Sequence, residues 1–201
     1  MKKQTNSDDK LKKYQQQKFD DYKEFTNLDL RDNDVIISLK ADSVYDILSE
    51  YSVKDNLGLN PAFIHFLNNQ IDYIPIEYDI TLNIQTINLT KREKEMIAES
   101  IHKYFKLKEI NIASELEANK AKSKSFTIIG VIAFIILFAL ELLMENEVVF
   151  SEILSFIASF TVWEGIELIL FEQDDIKETH AKYKNMANSK IVFDKDNGTI
   201  L

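Results

Sequence analysis

The sequence predicts an α+β protein: a small cytoplasmic domain, with a short sheet packed on helices, joined to a transmembrane antiparallel hairpin of two helices. Three observations carry this. Two long apolar runs, Phe126–Met144 and Val148–Phe171, are separated only by Glu145-Asn146-Glu147. Residues 78–89, "YDITLNIQTINL", alternate apolar and polar as a strand does. Glycine and proline number 4 and 2, too few for a turn-rich β architecture.

The first run has no charge from Phe126 to Leu140. As a helix, 126–144 rises about 28 Å, close to the roughly 30 Å of a hydrocarbon core. A soluble helix of that length keeps a polar face, and this one has none over four turns. It is expected to be transmembrane helix 1. The second run, 148–171, holds Glu152, Ser155, Ser159, Thr161, Glu164, Gly165 and Glu167. A central acid costs about 2.5–3.5 kcal/mol, while each apolar residue gives back roughly 0.3–0.6. Glu152 lies near one end, and Glu164 and Glu167 fall in the last two turns. Insertion as transmembrane helix 2 is therefore expected.

The acidic bridge permits a tight turn and nothing more. Lys120, Lys122 and Lys124 precede the first run, Lys177, Lys182 and Lys184 follow the second, and the bridge has no Lys or Arg. The positive-inside rule then puts both termini in the cytoplasm of a multi-pass inner (plasma) membrane protein.

Steps of four and three residues share a helical face. Glu152, Ser155, Ser159, Trp163 and Glu167 follow that spacing, as do Thr127, Gly130, Phe134, Leu137 and Glu141 in the first run. Small residues there let backbones approach. The two stripes are expected to face each other or an identical neighbour. The candidate intramembrane polar stripe is Glu141, Glu152, Ser155, Ser159, Trp163, Glu164 and Glu167. Its bland reading is an inner-leaflet ion pair of Glu164 and Glu167 with Lys122 and Lys124, with Trp163 anchoring at the interface. Its sharp reading is a proton or cation path in an oligomer.

The remaining segments build the cytoplasmic parts. Residues 1–18 are polar and lysine-rich, read as a disordered tail with no apolar core for a signal peptide. The α+β domain spans 19–108. "DVIISLK", 34–40, reads as a short strand, and Ser43 and Asp46 form a capping-box pattern before a short helix. Asn60-Pro61 starts a further helix, with His65 inside it. In 78–89, Ile80, Leu82, Ile84 and Thr86 are expected on one face, with Thr81, Asn83 and Gln85 on the other. Thr90 and Glu93 cap an amphipathic helix whose apolar side carries Met96, Ile97, Ile101, Tyr104 and Phe105, leaving His102 in solvent. After a weak spot near Leu107, a nearly continuous helix is expected from about Glu109 to Met144, with 109–125 in the cytoplasm. The C-terminal part, 172–201, reads as a polar helix and then a short strand with a turn at Asn197–Gly198. That strand is a candidate to join the sheet.

Chemistry is sparse. The net charge of −9 and scattered lysines argue against a nucleic-acid partner. There is no cysteine, so disulfides, thiolate zinc sites and cysteine nucleophiles are excluded. His65, His102 and His180 are far apart, and no catalytic, cofactor or metal site is expected. Asp174, Asp175 and Glu178 read as an exposed charge run, without the glycine turn of a cation loop.

The motif "VWEGIELILFE", 162–172, followed by a polar helix and "NSKIVFD", 188–194, resembles a group of bacterial two-span inner-membrane proteins. Their shared plan is a cytoplasmic strand-and-helix region, a charged helix entering the first span, a short outer turn and a tryptophan-and-acid signature, W-E-x-[IV]-E, in the second. The likeness covers roughly residues 78–194. It implies topology, since the group has no assigned activity. The expected function is a non-enzymatic interaction or sensing module at the inner membrane. The alternative is an oligomeric ion- or proton-conducting or membrane-permeabilising assembly using the intramembrane glutamates. Candidate partners are the lipid bilayer, further copies of the chain, and a protein docking on the cytoplasmic domain.

Overall fold

The computed structural model describes residues 13, 17, 19–21, 29–31, 33–52, 58–143 and 148–195, excepting the side chains of 30, 140–143, 148–151, 154, 170, 171 and 195. The elements in chain order are β1 (Asp29–Arg31), β2 (Asp34–Lys40), a 3-10 turn (Val44–Asp46), α1 (Pro61–Ile71), β3 (Asp79–Thr86), α2 (Lys91–Leu143), α3 (Val148–Glu167), a π-helical segment (Leu168–Glu172), α4 (Gln173–Ala187) and β4 (Lys190–Lys195). They fall into two compact units: Met1–Glu109 together with Ala181–Leu201, and Ile110–His180. The architecture is α+β.

The first unit is built on a four-stranded sheet in the order β1-β2-β3-β4. β1 runs antiparallel to β2, while β2, β3 and β4 are parallel. The register sets Val35 beside Ile80, Ile37 beside Leu82, and Leu82 beside Ile191. Parallel pairing keeps level side chains on one face, so these residues form one apolar surface. Helices supply its cover: Leu67 and Ile71 from α1, and Ile97, Ile101 and Phe105 from α2, join the same buried core. Ile97, Ile101 and Phe105 recur at steps of four, the spacing of one helical face.

Local signals in the chain account for the element starts. The Ser43 hydroxyl accepts from the Tyr45 amide and the Asp46 carboxylate accepts from the Ser43 amide, closing the expected capping box. The Asn60 side chain accepts from the Ala62 amide, with Pro61 at the first helical position. Thr90 and Glu93 cap each other reciprocally, at 2.8 Å from the Thr90 amide to the carboxylate and 3.3 Å from the Glu93 amide to the hydroxyl. Those bonds favour the charged carboxylate and hold the Glu93 pKa below its usual value.

The C-terminal strand does join the sheet. β4 pairs along β3 from Thr81–Lys190 to Thr86–Lys195. Side chains secure the approach: Asn185 donates to the carbonyls of Ile76 and Tyr78, and Lys182 to that of Asp72. Tyr183 lies against Phe105, with ring centroids 6.1 Å apart, and burial pushes the hydroxyls of Tyr104 and Tyr183 up in pKa. The turn expected at Asn197–Gly198 lies outside the described residues.

Several expectations are revised. The weak spot near Leu107 is no break: α2 continues from Lys91 to Leu143. No glycine or proline interrupts 91–129, and Lys106 bridges to Glu109 at 2.7 Å across the suspected joint. Exposed Leu107 simply sits on the solvent side of an unbroken helix. His102 is half-buried rather than solvated, and its Nε2 lies 2.9 Å from the Ser189 carbonyl. A carbonyl only accepts, so that nitrogen carries the proton. Thr81 is buried although it shares the polar face, because its hydroxyl donates to the Asp34 carboxylate at 2.7 Å. Phe19, at the edge of the expected tail, is fully buried and stacks on Tyr78 at 5.2 Å. Within 1–18 only Lys13 and Gln17 are among the described residues, and both are helical.

Among the described residues, one helix, α2, is long and apolar enough to cross a membrane, and little of that apolar stretch is buried.

Candidate functional site

The seam between α2 and α3 inside the second unit concentrates the unusual chemistry of the chain. On α2 the buried positions are Asn119, Ser123, Gly130 and Leu137, with Phe126, Thr127 and Ala133 half-buried between them. The run 119, 123, 126, 130, 133, 137 steps by four and three, the heptad spacing that keeps one seam on one side of a helix. On α3 and the π segment the matching positions are Ala158, Gly165 and Leu168, with Thr161 and Val162 half-buried.

Contacts set the direction. Ser123 Oγ donates to the Gly165 carbonyl at 2.9 Å, and Asn119 Nδ2 donates to Glu172 Oε2 at 2.8 Å. A Cβ added at Gly130 would collide with Val162 Cγ2. One added at Gly165 would lie 2.7 Å from Thr127 Oγ1 and 3.1 Å from the Thr127 backbone nitrogen. As the number on α2 rises, its partner's number on α3 falls, so the pair is antiparallel. The two glycines sit where backbone meets side chain or backbone, and a Cβ at either would push aside a facing side chain and press on the facing backbone at 3.1 Å.

Polar groups on this seam are used locally. Thr127 Oγ1 donates to the Ser123 carbonyl at 3.0 Å and Thr161 Oγ1 to the Ile157 carbonyl at 2.7 Å. Asn119 Oδ1 is buried without a hydrogen-bond partner among the described residues. Glu172 ends the π segment, in which the Gln173 amide donates to the Leu168 carbonyl five residues back.

The expected polar stripe of α3 does not face α2 within the chain. Glu152, Ser155, Ser159, Trp163 and Glu167 are exposed along α3, and Glu164 is half-buried. None of them makes the seam contacts. Glu141 belongs to α2, with its side chain outside the described residues. On α2, Thr127, Gly130 and Leu137 are correctly placed on the seam, but Phe134 is 42% exposed and Ala133 takes its position. The expected pairing of Lys122 and Lys124 with Glu164 and Glu167 is not found among the described residues; Lys120 pairs with Glu117 and Lys177 with Asp174. Lys122 instead stands over the Phe126 ring at 5.9 Å. Asn119, Ser123 and Glu172 were not expected. Their signal was the heptad step of small and polar residues running back from Gly130 into the charged part of the helix.

Much of the surface around the seam is apolar. Ile128, Ile129, Val131, Ile132, Ile135, Ile136 and Phe138 are exposed on α2, as are Ile153, Phe156, Ile157, Phe160 and Ile166 on α3. Among the described residues, no group of His, Asp and Glu is arranged to hold a metal ion. Asp174 is exposed and paired with Lys177. Comparison with protein-family models, curated proteins and solved structures finds no match to this chain.

Proposed function

We propose that the chain is an integral membrane protein whose helices α2 and α3 form a two-span hairpin. In this reading the sheet unit is a non-enzymatic interaction or sensing module on the cytoplasmic side of an inner membrane. One observation carries it: β3 precedes the helices, β4 follows them, and the two strands are neighbours in one sheet. Neighbouring strands occupy the same compartment. A chain that leaves β3, enters a bilayer through the apolar part of α2 and returns to β4 must cross an even number of times, and α3 is the segment available for the return. The exposed apolar surfaces of both helices support the same reading, since lipid removes the cost of leaving them bare. So does the seam, where small residues pack and hydroxyls bond to carbonyls, the means by which helices associate in lipid. Lysines flanking both runs, and none between them, favour termini on the cytoplasmic side. The resemblance of the Trp163–Glu167 segment to two-span inner-membrane proteins agrees with this topology.

The absence of cysteine makes the test direct. The chain is expected to stay in carbonate-washed membranes. A single cysteine at Asn146 should react with an impermeant maleimide in intact cells, and one at Asn188 only after lysis. Release by carbonate, or labelling of both sites from one side, would overturn the proposal.

A second reading, an oligomeric ion- or proton-conducting or permeabilising assembly, draws on the exposure of Glu152 and Glu167. It requires that reconstituted protein carry a flux in liposomes and that E164Q/E167Q abolish it.

A further inference from the structure

Among the described residues, the seam leaves the polar row of α3 without a partner inside one chain. At about 100° per residue, Glu152, Ser155, Ser159, Trp163 and Glu167 lie on average roughly a third of a turn from the row of Ala158, Val162 and Gly165 that meets α2. They point to one flank of the helix pair. The seam contacts also define level positions: 119 with 172, 123 with 165, 130 with 162. On that scale Glu167 is level with Lys124, and Ser159 with Val131 and Ile132. Lys124 and Glu167 are both exposed, and neither has an ion-pair partner among the described residues. Tracing the helical phase of two antiparallel right-handed helices puts Lys124, Val131 and Ile135 on the same flank as the serine row.

We propose that this flank is the contact surface for a second copy of the chain, related by a two-fold axis along the membrane normal. The inference rests on the membrane reading above, because only in lipid is an exposed row of carboxylates and hydroxyls costly enough to demand a partner. A two-fold axis on that flank lays α3 of one copy against α2 of the other and preserves the levels. Each Glu167 then meets the other copy's Lys124, twice per dimer, and the contact is self-complementary. Ser155 and Ser159 are small enough to admit the neighbour's Val131 and Ile135. Opposite charges at one depth, both unpaired within the monomer, select this arrangement over one that sets α3 against α3, where Glu167 would face its own copy and repel it.

Two differently tagged chains, each with one cysteine, test this in native membranes. K124C co-expressed with E167C should give a cross-linked heterodimer on mild oxidation, and V131C with S159C likewise, whereas V131C with I157C, at a similar depth but on the lipid side, should give roughly fivefold less. Charge reversal supplies a readout that misfolding would not mimic. K124E or E167K alone should lower dimer cross-linking between V131C and S159C chains roughly fivefold, the effect of about 1 kcal/mol, and K124E/E167K together should restore it. Absence of heterodimer from chains that remain in carbonate-washed membranes overturns the dimer and leaves the membrane reading intact. Equal cross-linking through Ile157, or no restoration by the double reversal, also overturns it. Release of the chains by carbonate removes both.

Discussion

In the sheet unit Leu82, Ile97 and Phe105 have no exposed surface, whereas in the helical unit Phe138 is 65% exposed and Phe156 74%. The buried groups differ as well. The sheet unit buries mainly branched and aromatic side chains, and the helical unit sets Asn119, Ser123, Gly130 and Gly165 among Leu137, Ala158 and Leu168 along its seam. The first pattern is what water imposes, since apolar area removed from it stabilises by about 25 cal/mol per Å². In the proposed lipid setting the second has no such driving force along the helix pair. There, close backbone approach and satisfied hydroxyls do the holding, as the proposed lipid setting requires.

The sharpest way to break this contrast is a paired truncation. Phe105→Ala should destabilise the sheet unit by about 3–5 kcal/mol, read by denaturant unfolding or pulse proteolysis, because it empties a closed core. Phe138→Ala, the same chemical change on an exposed surface, should shift the same measurement by less than about 0.5 kcal/mol. Comparable losses at both sites would mean that the helical unit has a conventional apolar interior. Next in size is Gly165→Val. Its side chain meets the backbone of Thr127, so the helices must separate at a cost of about 1–3 kcal/mol. An intrachain disulfide between A133C and A158C should form readily in the parent and poorly in this variant. Unchanged formation would show that the close approach is not needed. The smallest effect belongs to the sheet unit. Thr90→Ala removes the hydroxyl that caps α2, costing about 1 kcal/mol. The sign with pH follows from Glu93, whose pKa in the folded chain lies below its usual 4.5 because Thr90 bonds to the charged form. That stabilisation is complete above 4.5 and disappears as pH falls through the lower folded value. The parent should lose stability on acidification over that range, and Thr90→Ala should show a shallower dependence.

Features with a local cause were readable in the chain. Asn60-Pro61, Thr90 with Glu93, and Ser43 with Asp46 each specify a helix start through bonds to amides two or three residues away. The alternation of 79–86 marked a strand because one face is buried. Features that depend on distant partners were not readable. Phe19 has no periodic neighbours, and only the folded sheet provides Tyr78 for it to stack on. His102 looks solvated on a helical wheel until Ser189, which closes on it from the far end of the chain, is in place. The seam shows the same limit. Two rows of α3, roughly a third of a turn apart, both carry small or polar residues at helical spacing. Serines and acids drew attention to one row, while Gly165, flanked by Trp163, Glu164 and Glu167, marked the other. Which row meets α2 depends on where Val162 finds Gly130, and one strand of sequence cannot say.

The position of β4 has a consequence for biogenesis. Until Lys190–Lys195 leaves the ribosome, β3 has one ladder of amides and carbonyls with no neighbour, and every residue of both long helices is synthesised in that interval. An open, apolar strand edge is a template for the wrong partner. The nascent chain therefore passes through a vulnerable period that a stop codon placed after Ala187 would make permanent, leaving a product liable to aggregate even with its two long helices complete.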